Sequence, residues 1–292
     1  MIDFNLGTPL LNAYAGSERK AAIEIDGRVF MIKFPDPVRD KRRNLSYKNN
    51  QFSEFIGCHI FSIIGMEVQN TELGFYTNGK GVKKLVVGCE DFTQDGSRLI
   101  EFERFGDGFI ESDYRFDTSV ESVYEIIKNS PFIENKEEAI NFFWDMFVVD
   151  ALIGNSDRHM ENWGFLQKGN RIRLAPVYDC GSALSPLIEE DEMEYILTND
   201  TDFKNREYNA RSVYKMNGKT VFYHELFKRP TADLKEAIMR VFPKIDLSAI
   251  ALLINSVDEM SGIRKEYMKK AIELRYQSIL KPAYIHAKKE CD

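Results

Sequence analysis

The chain has 292 residues, 43% of them hydrophobic, and a net charge of −7 at pH 7, which is enough apolar material for one large domain or two lobes with a sizeable core. No run of about 18 apolar residues occurs, and residues 1–20 lack a basic segment followed by an apolar one, which argues against a spanning helix and a secretory signal. The acid excess argues against direct nucleic-acid binding and against an anionic membrane as partner, because both rest on surplus Lys and Arg.

The expectation is a soluble, cytoplasmic protein, with export by a route without a cleaved signal left open. Cys58, Cys89, Cys180 and Cys291 are far apart and form no C-x-x-C pair, so they read as buried or incidental thiols rather than a zinc site or disulfide scaffold.

In chain order, residues 21–26 alternate, Gly27 supplies a turn, and 29–34 form a second short apolar strand, which together predict a hairpin. The basic cluster Arg39-Asp40-Lys41-Arg42-Arg43 predicts a solvated loop, a docking patch for an acidic partner being the other reading. Over 51–64, Phe52, Phe55, Ile56, Ile60, Phe61 and Ile64 recur at helical spacing, closed by Gly65. Residues 73–76 and 84–89 predict two more strands around the turn Thr77-Asn78-Gly79-Lys80.

Helices are then predicted over 119–129 and 136–153, the second so rich in aromatic and branched residues that it should be buried on most sides. The acidic stretch 189–194 predicts an exposed loop. Beyond it come helices over 232–242 with Thr231 as N-cap, 247–256, and 261–280 stopped by Pro282. The sum is an α+β chain with a small β-rich N-terminal lobe over 1–92 and a larger helical lobe over 93–292.

Chemistry concentrates in Gly154-Asn155-Ser156-Asp157-Arg158-His159-Met160-Glu161-Asn162, followed by a basic strand-like segment and Ala175-Pro176-Val177-Tyr178-Asp179. Phosphotransferases need this ordering of acids and an amide. One Asp takes the proton of the attacking hydroxyl, and an Asn five residues on and a later Asp hold magnesium against the ATP phosphates. Asp157, Asn162 and Asp179 fill those three places. His159 takes the place of a cation facing the transferred phosphate; bracing of the loop by hydrogen bonds is its structural reading.

Upstream, Ala15-Gly16-Ser17-Glu18-Arg19-Lys20 could turn backbone N–H groups toward phosphate oxygens, although most Gly-Ser turns are only turns. Lys33, amid Phe30-Met31-Ile32 and Phe34, is placed to reach the α- and β-phosphates, unless it lies on a solvent face. Glu54 on the next helix is the natural partner for Lys33, and Glu90 with Phe92 mark the hinge where backbone would meet an adenine edge.

Together these residues resemble the HipA-like protein kinases, over most of the chain. The runs Phe142-Phe143-Trp144-Asp145-Met146-Phe147 and Asp179-Cys180-Gly181-Ser182 are most similar to the short CtkA-type branch. The resemblance implies a two-lobed kinase-like fold, ATP and Mg2+, and transfer of the γ-phosphoryl group to a Ser or Thr hydroxyl of a protein substrate, with self-phosphorylation as an added expectation.

Two departures limit the carry-over. Only a dozen or so residues precede the phosphate loop, so pairing with a DNA-binding antitoxin is not expected. Ala13 stands where longer relatives place a self-phosphorylated Ser, with Ser17 as a substitute site. Two further readings remain: a lipid or small-molecule kinase with a similar D-R-H-x-x-N loop, against which the acidic charge argues, and a pseudokinase that binds nucleotide without turnover.

Overall fold

The computed structural model describes residues 1–11, 20–35, 49–107 and 117–290; Gly16, Ser17, the basic cluster 39–43 and Cys291 lie outside the described residues. The first part of the chain builds a six-stranded sheet from β1 (Ile2–Asp3), β2 (Thr8–Leu10), β3 (Lys20–Ile25), β4 (Arg28–Lys33), β5 (Thr71–Thr77) and β6 (Lys83–Glu90). Their order is β1-β5-β6-β4-β3-β2. Only β1 and β5 run parallel among these described pairs.

The predicted hairpin is β3–β4, turning at Asp26 and Gly27, both with positive φ (52° and 76°) as a tight two-residue turn requires. Alternation along β4 sorts its residues between two covered faces. Phe30 and Ile32 join Phe4, Ile23 and Val86 on one side. Met31 packs with Leu73, Val87 and Cys89 beneath helix α1 (Asn50–Ile64), which buries Phe52, Ile56, Ile60, Phe61 and Ile64. Lys33 lies two residues beyond Met31, so the period of two sends it to the helix-covered face.

Downstream, β7 (Arg98–Glu101), β8 (Gly164–Lys168) and β9 (Arg171–Leu174) make a three-stranded antiparallel sheet. Helices α2 (Phe102–Asp107), α3 (Val120–Asn129) and α4 (Lys136–Ile153) lie between β7 and β8 in sequence. Helix α4 matches the prediction residue for residue and is buried along most of its length, from Phe143 to Ile153. Asn135 caps its start through a 3.0 Å bond from the Glu138 N–H, and Ser119 caps α3 in the same way from Ser122. A continuous apolar core runs from α1 and the sheet face beneath it through α4 to the C-terminal helices.

Three expectations need correction. The stretch 189–194 is no loop: α5 (Glu190–Thr198) begins there, burying Met193 and Ile196 against Tyr267 and Ala271, while Glu190, Asp191 and Glu192 occupy the first turn, where the helix dipole favours acids. After α6 (Asp200–Tyr208) the chain makes a hairpin, β10 (Arg211–Met216) and β11 (Lys219–Phe222), where helix alone was expected.

Helices α7 (Tyr223–Lys228), α8 (Ala232–Val241), α9 (Leu247–Asn255) and α10 (Gly262–Arg275) follow, with Thr231 capping α8 as predicted. Pro282 does not end the helical path. A wider turn over Tyr276–Leu280 leads into α11 (Lys281–Lys289), and the proline sits in its first turn, where a missing N–H costs nothing. No helix among the described residues is long and apolar enough to cross a membrane.

Candidate active site

Helix α4 delivers the loop. Gly154 closes it at φ 64°, its N–H donating to the Asp150 carbonyl. Asp150 is a charge inside an otherwise apolar helix face, and it is buried because Arg158 meets it: the guanidinium donates to both carboxylate oxygens at 3.0 and 3.2 Å. The same buried Arg158 donates to the Asn162 carbonyl at 3.0 Å, to the Tyr178 carbonyl, and to the Cys180 sulfur at 3.3 Å. One side chain therefore ties the loop 155–162 to the segment 178–180, satisfying carbonyls that would otherwise be buried unpaired.

With Arg158 turned inward, its neighbours are free for other work. The Asp157 N–H donates to Asn155 Oδ1 at 3.1 Å, and Asn162 Nδ2 donates to the Asp157 carbonyl at 2.7 Å. Having spent its N–H on that carbonyl, the Asn162 amide keeps its oxygen as a donor of electron pairs. The Asp157 carboxylate accepts from Ser182 Oγ at 3.4 Å. Burial raises its pKa, countered by His159 and reinforced by the nearby Asp179 carboxylate.

His159 is partly exposed and accepts from the Glu161 N–H on Nδ1 at 3.3 Å, which assigns a neutral ring's proton to Nε2. Both sequence readings of this residue therefore keep a place: it braces the loop, and its second nitrogen is outside that brace.

Lys33 decides the electrostatics. Its ammonium is 6% exposed, 3.1 Å from Glu54 Oε2 and 3.0 Å from Asp179 Oδ1. Glu54 is itself 1% exposed, and the alternative of a solvent-facing Lys33 does not hold. Asp179 sits at φ 58°, a left-handed conformation that Asp tolerates better than most residues and that aims its carboxylate back at Lys33. Burial pushes the Asp179 pKa up, but the Lys33 charge and hydrogen bond outweigh it, with Arg158 and Lys20 adding to the pull, and the net shift is downward.

Close approach of α1 to the Asp179 segment is possible because Gly57 has no side chain. A Cβ there would lie 2.6 Å from Cys180 Cβ. The Cys58 and Cys89 thiols each lie 3.9 Å from Glu54 Oε1. A hydrogen bond to Cys180, then burial, raise the Cys58 thiol well above its ordinary value, so Cys58 lies beside Glu54 as a neutral group.

The expected hinge residues divide. Phe92 packs its ring on Tyr178 with centroids 5.8 Å apart, next to Asp179. Glu90 is committed elsewhere. Its N–H donates to the Asn70 carbonyl, its C=O accepts from Gln69 Nε2, and its carboxylate takes Arg28 at 2.7 Å, which lowers its pKa. Among the described residues no three His, Cys, Asp or Glu side chains gather as a metal cluster. Asn162 and Asp179 instead offer two hard oxygen donors, the kind of sparse set that suits Mg2+ sharing its coordination with phosphate oxygens and water.

Sequence reasoning gave no role at the site to Asp150, Arg158, Gly57, Cys180 or Ser182, although it quoted Arg158, Cys180 and Ser182 within its motifs. The signal for Asp150 was legible, a lone acid within Phe147-Val148-Val149-Asp150-Ala151-Leu152. The others serve contacts between distant segments and leave no local pattern.

Comparison with known proteins gives the family and the fold. The family model for the HipA-like C-terminal domain matches residues 13–245. The serine/threonine-protein kinase CtkA of Helicobacter pylori is 36% identical over 274 residues, covering 92% of this chain and 82% of that relative. The crystal structure of a Helicobacter pylori proinflammatory kinase CtkA superposes with a TM-score of 0.90 at 34% identity over 99% of this chain and 98% of that one. HipA from Shewanella oneidensis MR-1, solved in complex with HipB and operator DNA, shares the fold at a TM-score of 0.57 and 16% identity, covering 95% of this chain and 68% of that one. By sequence and by fold, this chain belongs to the HipA-like C-terminal domain family.

Proposed function

We infer that this chain is a Ser/Thr protein kinase that transfers the γ-phosphoryl group of ATP to hydroxyls of a protein substrate, with magnesium as its metal. The single observation that carries the reading is the buried Lys33 ammonium bonded at once to Glu54 and Asp179, on a segment that also reaches Asp157 through Ser182. Burying an ammonium between two carboxylates is a poor way to stabilise a fold, because desolvation consumes most of the attraction. Such a cluster, with the Asp179 pKa lowered while that of nearby Asp157 is raised, is characteristic of a reaction site.

In this reading the N-terminal lobe, 1–92, grips the triphosphate, and residues 93–292 carry the base and metal ligands. Lys33 orients the α- and β-phosphates and Glu54 holds Lys33 in place. Lys20 is assigned to the phosphates, as Gly16 and Ser17 are by sequence alone, and the Phe92 backbone meets the adenine edge, since the N–H and C=O of Glu90 are already engaged. Asn162 and Asp179 hold Mg2+, which supplies charge neutralisation along the triphosphate. Asp157 takes the proton of the attacking hydroxyl, its raised pKa making it a better base than an exposed Asp, and His159 stands beside the transferred group.

The test is incubation with γ-labelled ATP, Mg2+ and a generic basic protein, with mass-spectrometric mapping of the label. Label on Ser or Thr of protein is expected, and Asp157→Asn should lower it by about 100-fold or more while leaving the melting temperature nearly unchanged. Full activity in Asp157→Asn would refute the assignment of the base. In a parallel incubation with inositol-lipid vesicles, label confined to the lipid would move the enzyme to another class.

A further inference from the structure

We propose that Ser182 is a positioning residue for Asp157, a role that rests on the kinase reading above and extends it. Among the described residues, Ser182 Oγ is the one hydrogen-bond donor to the Asp157 carboxylate, reaching Oδ2 at 3.4 Å. A carboxylate on a loop has a rotatable side chain, and a base works only when one oxygen points at the acceptor's proton. Nucleophile sites commonly solve this by having a third group orient the base. Donation to Oδ2 leaves Oδ1 to receive the proton.

The placement of Ser182 is built by its neighbours. Cys180 lies in the space a side chain on Gly57 would need, its Sγ taking a bond from Arg158 at 3.3 Å. The Ala183 N–H donates back to the Cys180 carbonyl at 3.0 Å, so 180–183 is a closed turn. Within it, Gly181 runs so close to the active carboxylates that an added Cβ would lie 3.1 Å from Glu54 Oε2 and 3.9 Å from Asp179 Oδ1. The turn is thus clamped against α1 on one side and the loop 155–162 on the other, and it holds out the Ser182 hydroxyl to Asp157. Base and metal ligand are thereby coupled: Asp157 is oriented only when the segment that carries Asp179 is folded into place.

The experiment compares wild type, Ser182→Ala, Ser182→Thr and Asp157→Asn of the full chain for kcat, KM for ATP, melting temperature with and without ATP and Mg2+, and phosphorylation sites. Ser182→Ala should lose roughly 10- to 100-fold in kcat, the scale of a misoriented catalytic group, with KM for ATP and both melting temperatures within error of wild type. Ser182→Thr, which keeps the hydroxyl, should recover most of the rate.

Four outcomes overturn the proposal. A Ser182→Ala variant within twofold of wild-type kcat would remove the role while the kinase reading stood. Parallel losses in kcat, ATP-induced stabilisation and melting temperature, unrelieved by Thr, would make Ser182 structural. Phosphate mapped to Ser182 in the wild type would make it an acceptor rather than an orienter. A wild type without transfer, or a fully active Asp157→Asn, would sink the kinase reading and this role with it.

Discussion

Glu54, Lys33 and Asp179 form a chain of alternating charge, the ammonium lying 3.1 Å from one carboxylate and 3.0 Å from the other. Asp179 is the most exposed of the three, its side chain 39% accessible, yet its pKa is lowered because the Lys33 ammonium is fixed 3.0 Å away. An acid whose folded pKa lies below its unfolded value of about 3.9 stabilises the native state above that pH and loses the contribution as pH falls through the folded value. The melting temperature of wild type should therefore exceed that of Asp179→Asn at pH 7, and the gap should narrow below about pH 4, where the unfolded-state carboxyl begins to protonate. A gap that stays constant from pH 7 to pH 3 would show that Asp179 is not held ionised by Lys33.

At the scale of elements, the site depends on how α1 lies against the Asp179 segment. Glu54 and Gly57 are neighbours on α1, one supplying the carboxylate for Lys33 and the other the contact surface for Cys180. Gly57→Ala is ordinarily a helix-favouring change, gaining about 0.5–1 kcal/mol by propensity. Here the new Cβ would sit 2.6 Å from Cys180 Cβ, and overpacking of this kind costs about 1–3 kcal/mol. The expected result is a protein that melts lower than wild type and transfers phosphate more slowly, because Glu54 and Asp179 are pushed apart together. Calorimetry and a steady-state assay on the same preparation check both halves; a Gly57→Ala protein that melts higher would show that α1 has room to move.

Across the whole molecule, the last turn of α4, which leads into the loop 155–162, is held by a buried ion pair far from it in sequence. Arg275 on α10 pairs with Glu207 on α6, each 2% exposed, and also donates to the Leu152 carbonyl at 3.2 Å, in the last turn of α4. Ser185 Oγ donates to the same Glu207 carboxylate at 3.3 Å, and Tyr267 Oη donates to it as well. Three side chains from two segments, α10 and the turn at Ser185, thus converge on one carboxylate of α6. Removing one partner of a buried pair leaves the other charged and unpaired, at about 3–5 kcal/mol. Arg275→Met should show that loss in urea unfolding, and the double variant Glu207→Gln/Arg275→Met should recover part of it; equal midpoints for wild type and Arg275→Met would mean that the pair contributes nothing.

The candidate site was largely legible in the chain because its chemistry is local: Asp157, His159 and Asn162 share one loop, and the approach to Asp179 repeats a recognisable order of residues. Helix α4 and its capping Gly154 were equally legible, since apolar periodicity and end signals act over a few residues.

Other features could not be read this way. The stretch 189–194 looked like a loop because its acids outweigh its one apolar residue, Met193, whose partners Tyr267 and Ala271 lie more than 70 positions downstream. Whether Lys33 and Glu54 faced water or each other was a question of which sheet face α1 covers. Asp150 and Arg158, Gly57 and Cys180, and Ser182 and Asp157 acquire meaning only as pairs. The amino-acid order by itself determined the inventory of reactive groups and the elements that carry them, through short-range periodicity and spacing. The tertiary structure alone decided which groups are desolvated and paired, because burial and Coulomb attraction depend on distances that the chain sets only when it closes on itself.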